Sequence, residues 1–225
     1  MTAHGAALSP VRTYGKVATL YEYTLRLSGQ ARGIERYLAR LPLPLPAGAR
    51  VMDAGCGTGF LALWLAQRFP GAMVTAFDLE PRMLEMLTRS ARRAGIPSSR
   101  LTIATGDLRQ PDRLRRLADG AALPPLTAAL DLIIVGAALE HVPLRDTVRG
   151  LAGLLRPGGL LLNLAMRAGP VTDLLRLVYR FRPYEPEEWS GALAHAGLNV
   201  LRMERLAARD FPANLTRLSI LARKP

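Results

Sequence analysis

The chain has very little lysine. Lys16 and Lys224 are its only lysines, so the formal net charge of +12 comes almost wholly from arginine. Because an excess of arginine and alanine over lysine and isoleucine is typical of GC-rich genomes, this charge is weak support for a nucleic-acid partner. The densest arginine run, residues 89–116, contains no aromatic residue on which a base could stack. Nucleic acid is therefore not favoured as a partner.

Cysteine and long apolar runs are also scarce. A single cysteine, Cys56, excludes an internal disulfide and predicts a reducing, cytoplasmic setting. No stretch approaches the roughly 20 apolar residues of a membrane-spanning helix, and no basic segment followed by a long apolar run begins the chain. With 225 residues, 49% of them hydrophobic, the chain can bury one full core. We expect a single core domain without a transmembrane segment.

The spacing of apolar residues divides the chain into a cap and a core. Within residues 11–41 they recur every three or four positions, which is typical of helix, and the prolines at 42, 44 and 46 then forbid helix. From residue 49 onward, short apolar runs alternate with helical stretches, which predicts right-handed crossovers and a parallel sheet. We predict an N-terminal helical cap over residues 1–48 and a core over residues 49–225.

Nine core elements and a final pair of strands follow from the pattern. The expected strands are 49–54, 73–78, 100–105, 130–135 and 160–164, and the expected helices are 59–69, 81–94, 144–155 and one that starts at Glu187. Only a loop separates the last strand-like runs, 197–206 and 215–222, so we expect these two to pair antiparallel. The predicted fold is α/β: a Rossmann-like three-layer sandwich whose seven-stranded, mostly parallel sheet ends in an antiparallel hairpin.

Residues 51–60 carry the most informative motif, Val-Met-Asp-Ala-Gly-Cys-Gly-Thr-Gly-Phe. A strand end meets an acidic residue, three glycines at alternate positions and a helix start, which predicts a turn whose backbone comes close to a ligand. A dinucleotide fingerprint would require glycine where Phe60 stands. The pattern acid-x-Gly-x-Gly-x-Gly resembles the first motif of the class I methyltransferases that bind S-adenosylmethionine (SAM).

This resemblance implies a cofactor site at the carboxyl ends of the strands. Asp53 either holds the turn or reaches the SAM ammonium through water. Asp78 is expected to bind the ribose hydroxyls, and a helix N-cap role is compatible with this. Asp107 is expected to accept from the adenine amino group, with a surface turn as the alternative. The other expected cofactor-binding residues are Tyr14, Tyr21, Gly55, Cys56, Gly57, Leu79, Met83, Gly106, Leu108 and Gly136.

The resemblance also puts Glu140 and His141, which follow the fourth core strand, beside the methyl-transfer channel. His141 is the candidate general base because its ordinary pKa lies near 6.5 and Glu140 could orient it. The alternative is that His141 simply braces the loop before Pro143. No metal site is expected.

Residues 167–184 form an insert in which apolar residues stand among arginines. An apolar face edged with arginines fits a lid over an apolar acceptor, a contact with membrane lipid or a homodimer surface. We favour the lid; the plain alternative is a helix packed on its own sheet. Tyr14 and Tyr21 resemble the aromatic N-terminal helix that closes over SAM in this family, with an amphipathic helix docked on the sheet as the alternative.

Taken together, these motifs are similar to those of the small-molecule methyltransferases of ubiquinone and menaquinone biosynthesis and their natural-product relatives. The resemblance implies SAM as cofactor and in-line transfer of a methyl group to a hydroxyl or activated carbon of an apolar or aromatic small molecule. The alternatives are an RNA or protein methyltransferase of the same fold and a non-catalytic scaffold. Against amino-group methylation of bases, no Asn/Asp-Pro-Pro-Tyr/Phe motif follows the fourth strand.

Overall fold

The computed structural model describes residues 29–179 and 181–225 of the chain. Most of the predicted cap, including Tyr14 and Tyr21, lies outside the described residues, so the cap and its boundary at residue 48 stay predictions. One cap helix is described, α1 (Gln30–Arg40). Its Tyr37 hydroxyl bonds Ser219 Oγ at 2.7 Å, so α1 packs on the sheet.

An eight-stranded sheet forms the centre of the fold. Its strands are β1 (Arg50–Ala54), β2 (Met73–Asp78), β3 (Leu101–Thr105), β4 (Arg115–Arg116), β5 (Leu130–Gly136), β6 (Leu155–Met166), β7 (Asn199–Arg205) and β8 (Arg217–Arg223). The strand order is β4-β3-β2-β1-β5-β6-β8-β7. Strands β1, β2, β3, β5 and β6 pair in parallel, whereas β4, β8 and β7 run antiparallel to their neighbours. The predicted parallel sheet with an antiparallel C-terminal hairpin is confirmed.

Helices cover both faces of the sheet, which gives the predicted three layers. Besides α1 they are α2 (Phe60–Arg68), α3 (Pro81–Arg93), α4 (Leu144–Leu154), α5 (Pro170–Tyr179) and α6 (Pro186–His195). One apolar core lies between the sheet and α4 and α6, with Trp189 as its largest side chain. The other core lies between the opposite face and α1, α2 and α3.

Two predictions about the strands were wrong. The sheet has eight strands rather than seven, because the two-residue β4 pairs with β3 through Arg115 and Arg116. Both arginines are exposed, so no apolar pattern marks this strand in the sequence. In addition, β6 begins directly after α4 at Leu155, where residues 160–164 had been expected to form the whole strand. Residues 156–159 bulge out of β6, and its pairing with β5 resumes at Leu160.

The parallel strands bring their carboxyl ends to one edge of the sheet. Asp53 lies near the end of β1, Asp78 ends β2, and Gly106 and Asp107 follow β3. The residues after β5 and β6, from Ala137 and Arg167 onward, leave the sheet at the same edge. The fold therefore collects the predicted site residues that it describes along this edge.

Candidate active site

The glycine turn between β1 and α2 leaves an open space in front of its backbone. Gly55 and Gly57 have φ angles of +68° and +52°, in the left-handed region that favours glycine. A Cβ on Gly55 would lie 2.6 Å from the Cβ of Ala138, so this glycine permits the turn to approach the loop after β5. A Cβ on Gly57 would meet nothing within 4 Å. The turn is thus packed at Gly55 and open at Gly57.

Asp78 ties the end of β2 to this turn. Its Oδ2 accepts from the Gly57 amide at 2.8 Å, and its Oδ1 accepts from the Glu80 amide at 3.0 Å. The N-cap of α3 is Glu80, so the alternative role of Asp78 as the helix cap does not apply. Burial raises the pKa of Asp78 above its usual value. Each carboxylate oxygen keeps a second lone pair for a further donor.

The two apolar residues expected to flank adenine differ in exposure. Leu79, directly after β2, is 62% exposed, whereas Met83 in the first turn of α3 is only 8% exposed. An exposed leucine beside a buried carboxylate offers an apolar surface next to polar acceptors. Leu79 is thus accessible at this edge of the sheet, whereas Met83 is buried.

Asp53 is buried completely, and neither of its carboxylate oxygens has a hydrogen-bond partner. Burial raises its pKa to about 8; the nearby Ala62 backbone amide opposes this shift, and the charge of Asp78 adds to it. Burial also raises the pKa of the Cys56 thiol, and the carboxylates of Asp53 and Asp78 add to that shift. A buried carboxylate without a partner is costly when ionised, so Asp53 favours the neutral form or a positively charged neighbour.

Three residues after β3 face different surroundings. The Asp107 carboxylate pairs with Arg109, whose Nη2 lies 2.5 Å from Oδ2, and these hydrogen bonds lower the pKa of Asp107. Leu108 is 8% exposed and belongs to the core, whereas the motif predicts that it contacts adenine. A Cβ on Gly106 would strike Leu114, so this glycine is needed for packing. Leu108 is thus buried, whereas Gly106 and Asp107 are partly exposed.

The loop after β5 turns sharply before Glu140. A Cβ on Gly136 would lie 2.8 Å from Leu61 Cδ1, so Gly136 lets β5 approach α2. Ala137 has a φ of +54°, a left-handed conformation that costs a non-glycine residue free energy. Strain of this kind persists where surrounding contacts hold it, and it occurs often at functional sites.

Glu140 and His141 point to different surroundings. Glu140 is 3% exposed, and its Oε1 accepts from the Met166 amide at 2.5 Å, while Oε2 has no partner. Burial raises the pKa of Glu140 to about 7. The His141 ring reaches the surface edge-on to Phe181, with 6.0 Å between centroids, and partial desolvation by the surrounding residues lowers its pKa. The described contacts of the Glu140 side chain thus join it to β6, whereas the sequence predicts that Glu140 orients His141.

The insert packs on the same loop through its C-terminal half. The Tyr184 hydroxyl donates to the Val142 carbonyl at 2.9 Å, and the Arg182 amide donates to the Glu140 carbonyl at 3.1 Å. In the N-terminal half, α5 exposes Val171 (40%) and Leu174 (67%). The insert therefore lies beside His141 and presents apolar side chains to solvent.

Sequence reasoning missed several buried polar groups at this edge. Thr172, Asn163 and Arg217 are at most 2% exposed although they carry polar side chains. Asn163 interrupts the apolar run of β6 in Leu-Leu-Asn-Leu-Ala-Met, and that interruption is the one signal which could have found it. Thr172 and Arg217 have no such signal, because their burial results from tertiary packing.

Comparisons with known proteins give one family and several relatives. The model of the methyltransferase domain family matches residues 51–159. The ubiquinone biosynthesis O-methyltransferase of Methylocella silvestris is 35% identical over 68% of this chain and 51% of its own length. The release factor glutamine methyltransferase of Moorella thermoacetica is 37% identical over 59% of this chain and 52% of its own length. The chain thus spans about half the length of these curated relatives.

The fold has close structural neighbours. The structure of a SAM-dependent methyltransferase from Aquifex aeolicus superposes with a TM-score of 0.66 at 17% identity, covering 97% of this chain and 100% of that one. Among the residues that the structure describes, no helix is long and apolar enough to cross a membrane. Nor do three His, Cys, Asp or Glu side chains within those residues gather into a group that could hold a metal ion.

Proposed function

We propose that this chain is a class I SAM-dependent methyltransferase and that it moves a methyl group to a hydroxyl or an activated carbon of an apolar or aromatic small molecule. One observation carries the proposal. Carboxylates at the ends of β1 and β2 surround a glycine turn that is open at Gly57. Asp107 follows at the end of β3, so acidic groups stand at three neighbouring strands.

The residues at this edge fit SAM. Asp53 is a buried carboxylate without a partner, and a cofactor ammonium, directly or through water, would satisfy it. The free lone pairs of Asp78 suit the two ribose hydroxyls, and exposed Leu79 suits a face of the adenine. Tyr14, Tyr21 and Asp107 remain predicted contacts.

Bound SAM supplies a methyl group on a positively charged sulfur, ready for in-line displacement. The protein then has to hold the acceptor on the opposite side and to exclude water, since alignment provides much of the rate enhancement. A lowered pKa keeps His141 neutral at pH 7, so a ring nitrogen is able to accept a proton from an acceptor hydroxyl. Glu140 holds the loop that carries His141 against β6 through its bond to Met166.

An apolar acceptor agrees with the surroundings of His141. Phe181 contacts its ring, and the insert carries Val171 and Leu174 at the same edge. We propose that the insert acts as a lid over the acceptor. Its alternatives, a membrane-lipid contact and a homodimer surface, follow from the same exposed leucine and valine, and the cytoplasmic setting stays a prediction.

A macromolecular acceptor is the competing function. One relative is named as a release factor glutamine methyltransferase. In this chain, however, Gly136-Ala137-Ala138-Leu139 stands at the end of β5 in place of an Asn/Asp-Pro-Pro-Tyr/Phe motif. Glycine, alanine and leucine at these positions bring no side-chain amide or aromatic ring to an amino group. The small-molecule acceptor is therefore favoured.

Calorimetry tests the cofactor assignment. We expect SAM and its demethylated product, S-adenosylhomocysteine (SAH), to bind the full chain with one-to-one stoichiometry and NADH not to bind. Binding of NADH without SAM or SAH would refute the proposal. Transfer of a labelled methyl group to small-molecule fractions of a cell extract, compared with protein and RNA fractions, then tests the acceptor class.

Replacing Asp78 by Asn tests the ribose contact. Loss of a charged acceptor that serves two hydroxyls should weaken SAH binding about tenfold to a hundredfold. The Asn amide would also face one of the two backbone N–H donors, so circular dichroism must first establish that the variant is folded. Asp146→Asn, at an exposed pair with Arg149, is the matched control and should bind SAH as the wild type does. Equal binding by both variants would contradict the assignment.

A further inference from the structure

The segment that leaves β6 carries a set of hydrogen-bond donors that the proposed cofactor contacts do not use. Arg167 follows β6 directly, and its amide donates to the Thr216 carbonyl at 3.0 Å. The preceding residue, Met166, donates its amide to Glu140. The backbone of Arg167 therefore lies at the edge of the sheet where Glu140 and His141 lie.

The Arg167 side chain folds back over the start of α5. Its Nη1 lies 3.8 Å from the position that a Cβ on Gly169 would occupy, one residue before the helix begins. Its Nε is buried and has no hydrogen-bond partner. A buried guanidinium nitrogen without an acceptor costs free energy, which an anionic ligand would recover.

The first turn of α5 adds donors at the same place. The helix has 10 residues, and Asp173 makes its first backbone bond, to Gly169 at 2.8 Å, which leaves the amides of Val171 and Thr172 without helical acceptors. Amides at a helix N-terminus bind anions readily. Thr172 provides an independent observation: the residue is 0% exposed, yet its hydroxyl has no partner. Buried polar groups without partners are rare and indicate a missing ligand or water.

The charges nearby favour an anion. Asp173, the acidic residue of this turn, is 58% exposed and pairs with Arg176 at 3.3 Å. Arg217, 2% exposed, stands opposite Met166 in the sheet register and adds a second cation at this edge. Glu140 is the opposing charge, and its burial reduces its ionised fraction near neutral pH.

We propose that the methyl acceptor carries an anionic group, a carboxylate or a phosphate, that binds at the N-terminus of α5 to Arg167, Thr172 and the free amides of the first turn. This inference rests on the proposed methyl transfer and narrows its substrate class to acidic small molecules. The apolar part of the acceptor then extends toward Phe181 and His141, and its reacting group is fixed at a set distance from the anchored anion.

Anion binding to the SAH-loaded full chain tests this site. Inorganic phosphate and benzoate are titrated separately in calorimetry, because the first represents a phosphate and the second an aromatic carboxylate. We expect saturable one-to-one binding of at least one probe, and the tighter probe identifies the group. Arg167→Gln should weaken that binding about tenfold or more, and Thr172→Val about threefold to tenfold.

Arg176→Gln is the matched control, because it removes an exposed arginine from the same helix and should leave anion binding unchanged. Binding of neither probe, or equal affinity in the Arg167 and Arg176 variants, would overturn the inference. Because Thr172 is buried, circular dichroism must establish that Thr172→Val is folded; if it is not, Arg167→Gln alone decides. The same titrations are also run on the chain without SAH, so that the two proposals are tested separately. If SAH does not bind but the anion does, the proposed function alone is refuted.

Discussion

At the scale of single residues, environment divides chemically identical carboxylates into distinct states. Burial raises the pKa of Asp53 to about 8, whereas hydrogen bonds from Arg109 lower the pKa of Asp107. Asp53 on β1 favours its proton, whereas Asp107 after β3, two strands away in the sheet, keeps its charge. At neutral pH an incoming cation would therefore favour loss of the proton of Asp53, whereas Asp107 is already ionised and paired with Arg109.

Replacing Asp53 by Asn should change how stability depends on pH. The folded protein holds a proton on Asp53 up to about pH 8, while the unfolded chain releases it near 3.8. The folded state thus binds the extra proton, so stability falls as pH rises through this window. Urea unfolding at several pH values between about 4.5 and 8 should show a shallower decline for Asp53→Asn. Asp146→Asn should follow the wild type, and curves of equal slope for Asp53→Asn and wild type would contradict the pKa.

Positions of functional residues were more predictable than their contacts. The motif predicts that Asp53, Asp78 and Asp107 gather at one edge, because parallel strands end together, and the register confirms that arrangement. Which donor each oxygen meets depends on how separate segments approach. The bond from Glu140 to Met166 joins residues 26 apart in sequence, and no local pattern encodes it.

At the scale of elements, the glycine turn and the loop after β5 constrain each other. Gly55 makes room for Ala138, and the strained Ala137 precedes it. Neither segment is able to move alone without a clash or a gap. The glycine turn and the loop of the proposed base are therefore packed directly against each other.

Gly55→Ala should destabilise the protein more than its backbone angle alone explains. A positive φ costs alanine about 1 to 2 kcal/mol, and Gly95→Ala, at φ +67° with open space, measures that part. Gly55→Ala adds a Cβ 2.6 Å from Ala138, so we expect a larger loss of stability in urea and weaker SAH binding. The double variant with Ala138→Gly should recover part of the loss; no recovery would show that the contact is unimportant.

Elements with strong apolar patterns agree with the prediction, and elements without them differ. Strand β2 begins and ends at the predicted residues, because a buried apolar run stops at Asp78. Strand β4 consists of two exposed arginines, and the bulge in β6 lies within Arg-Pro-Gly-Gly, which predicts a turn. Tertiary pairing, rather than local sequence, decides both cases.

At the scale of the whole molecule, cofactor binding and folding are linked. The site is assembled from residues of β1, β2 and the loops after β3 and β5, so only the folded chain presents it. A ligand that binds the folded state alone raises its stability by mass action. Thermal unfolding therefore reports on the site without any knowledge of the acceptor.

SAH at about a hundred times its dissociation constant should stabilise the fold by about 2.7 kcal/mol. For a chain of this size the midpoint of thermal unfolding should then rise by about 5 to 10 °C. NADH at the same concentration should leave the midpoint unchanged. A shift with NADH, or none with SAH at a concentration that calorimetry shows to be saturating, would contradict the linkage.

The strand order also bears on how the protein is made. Strand β8 lies between β6 and β7, although it follows both in the chain, and β7 pairs along its length with β8. During synthesis the ribosome therefore releases β7 before its neighbour exists, and this half of the sheet stays open until residue 223 has emerged. A message truncated before codon 217 would yield a chain whose β6 and β7 both lack the strand that joins them.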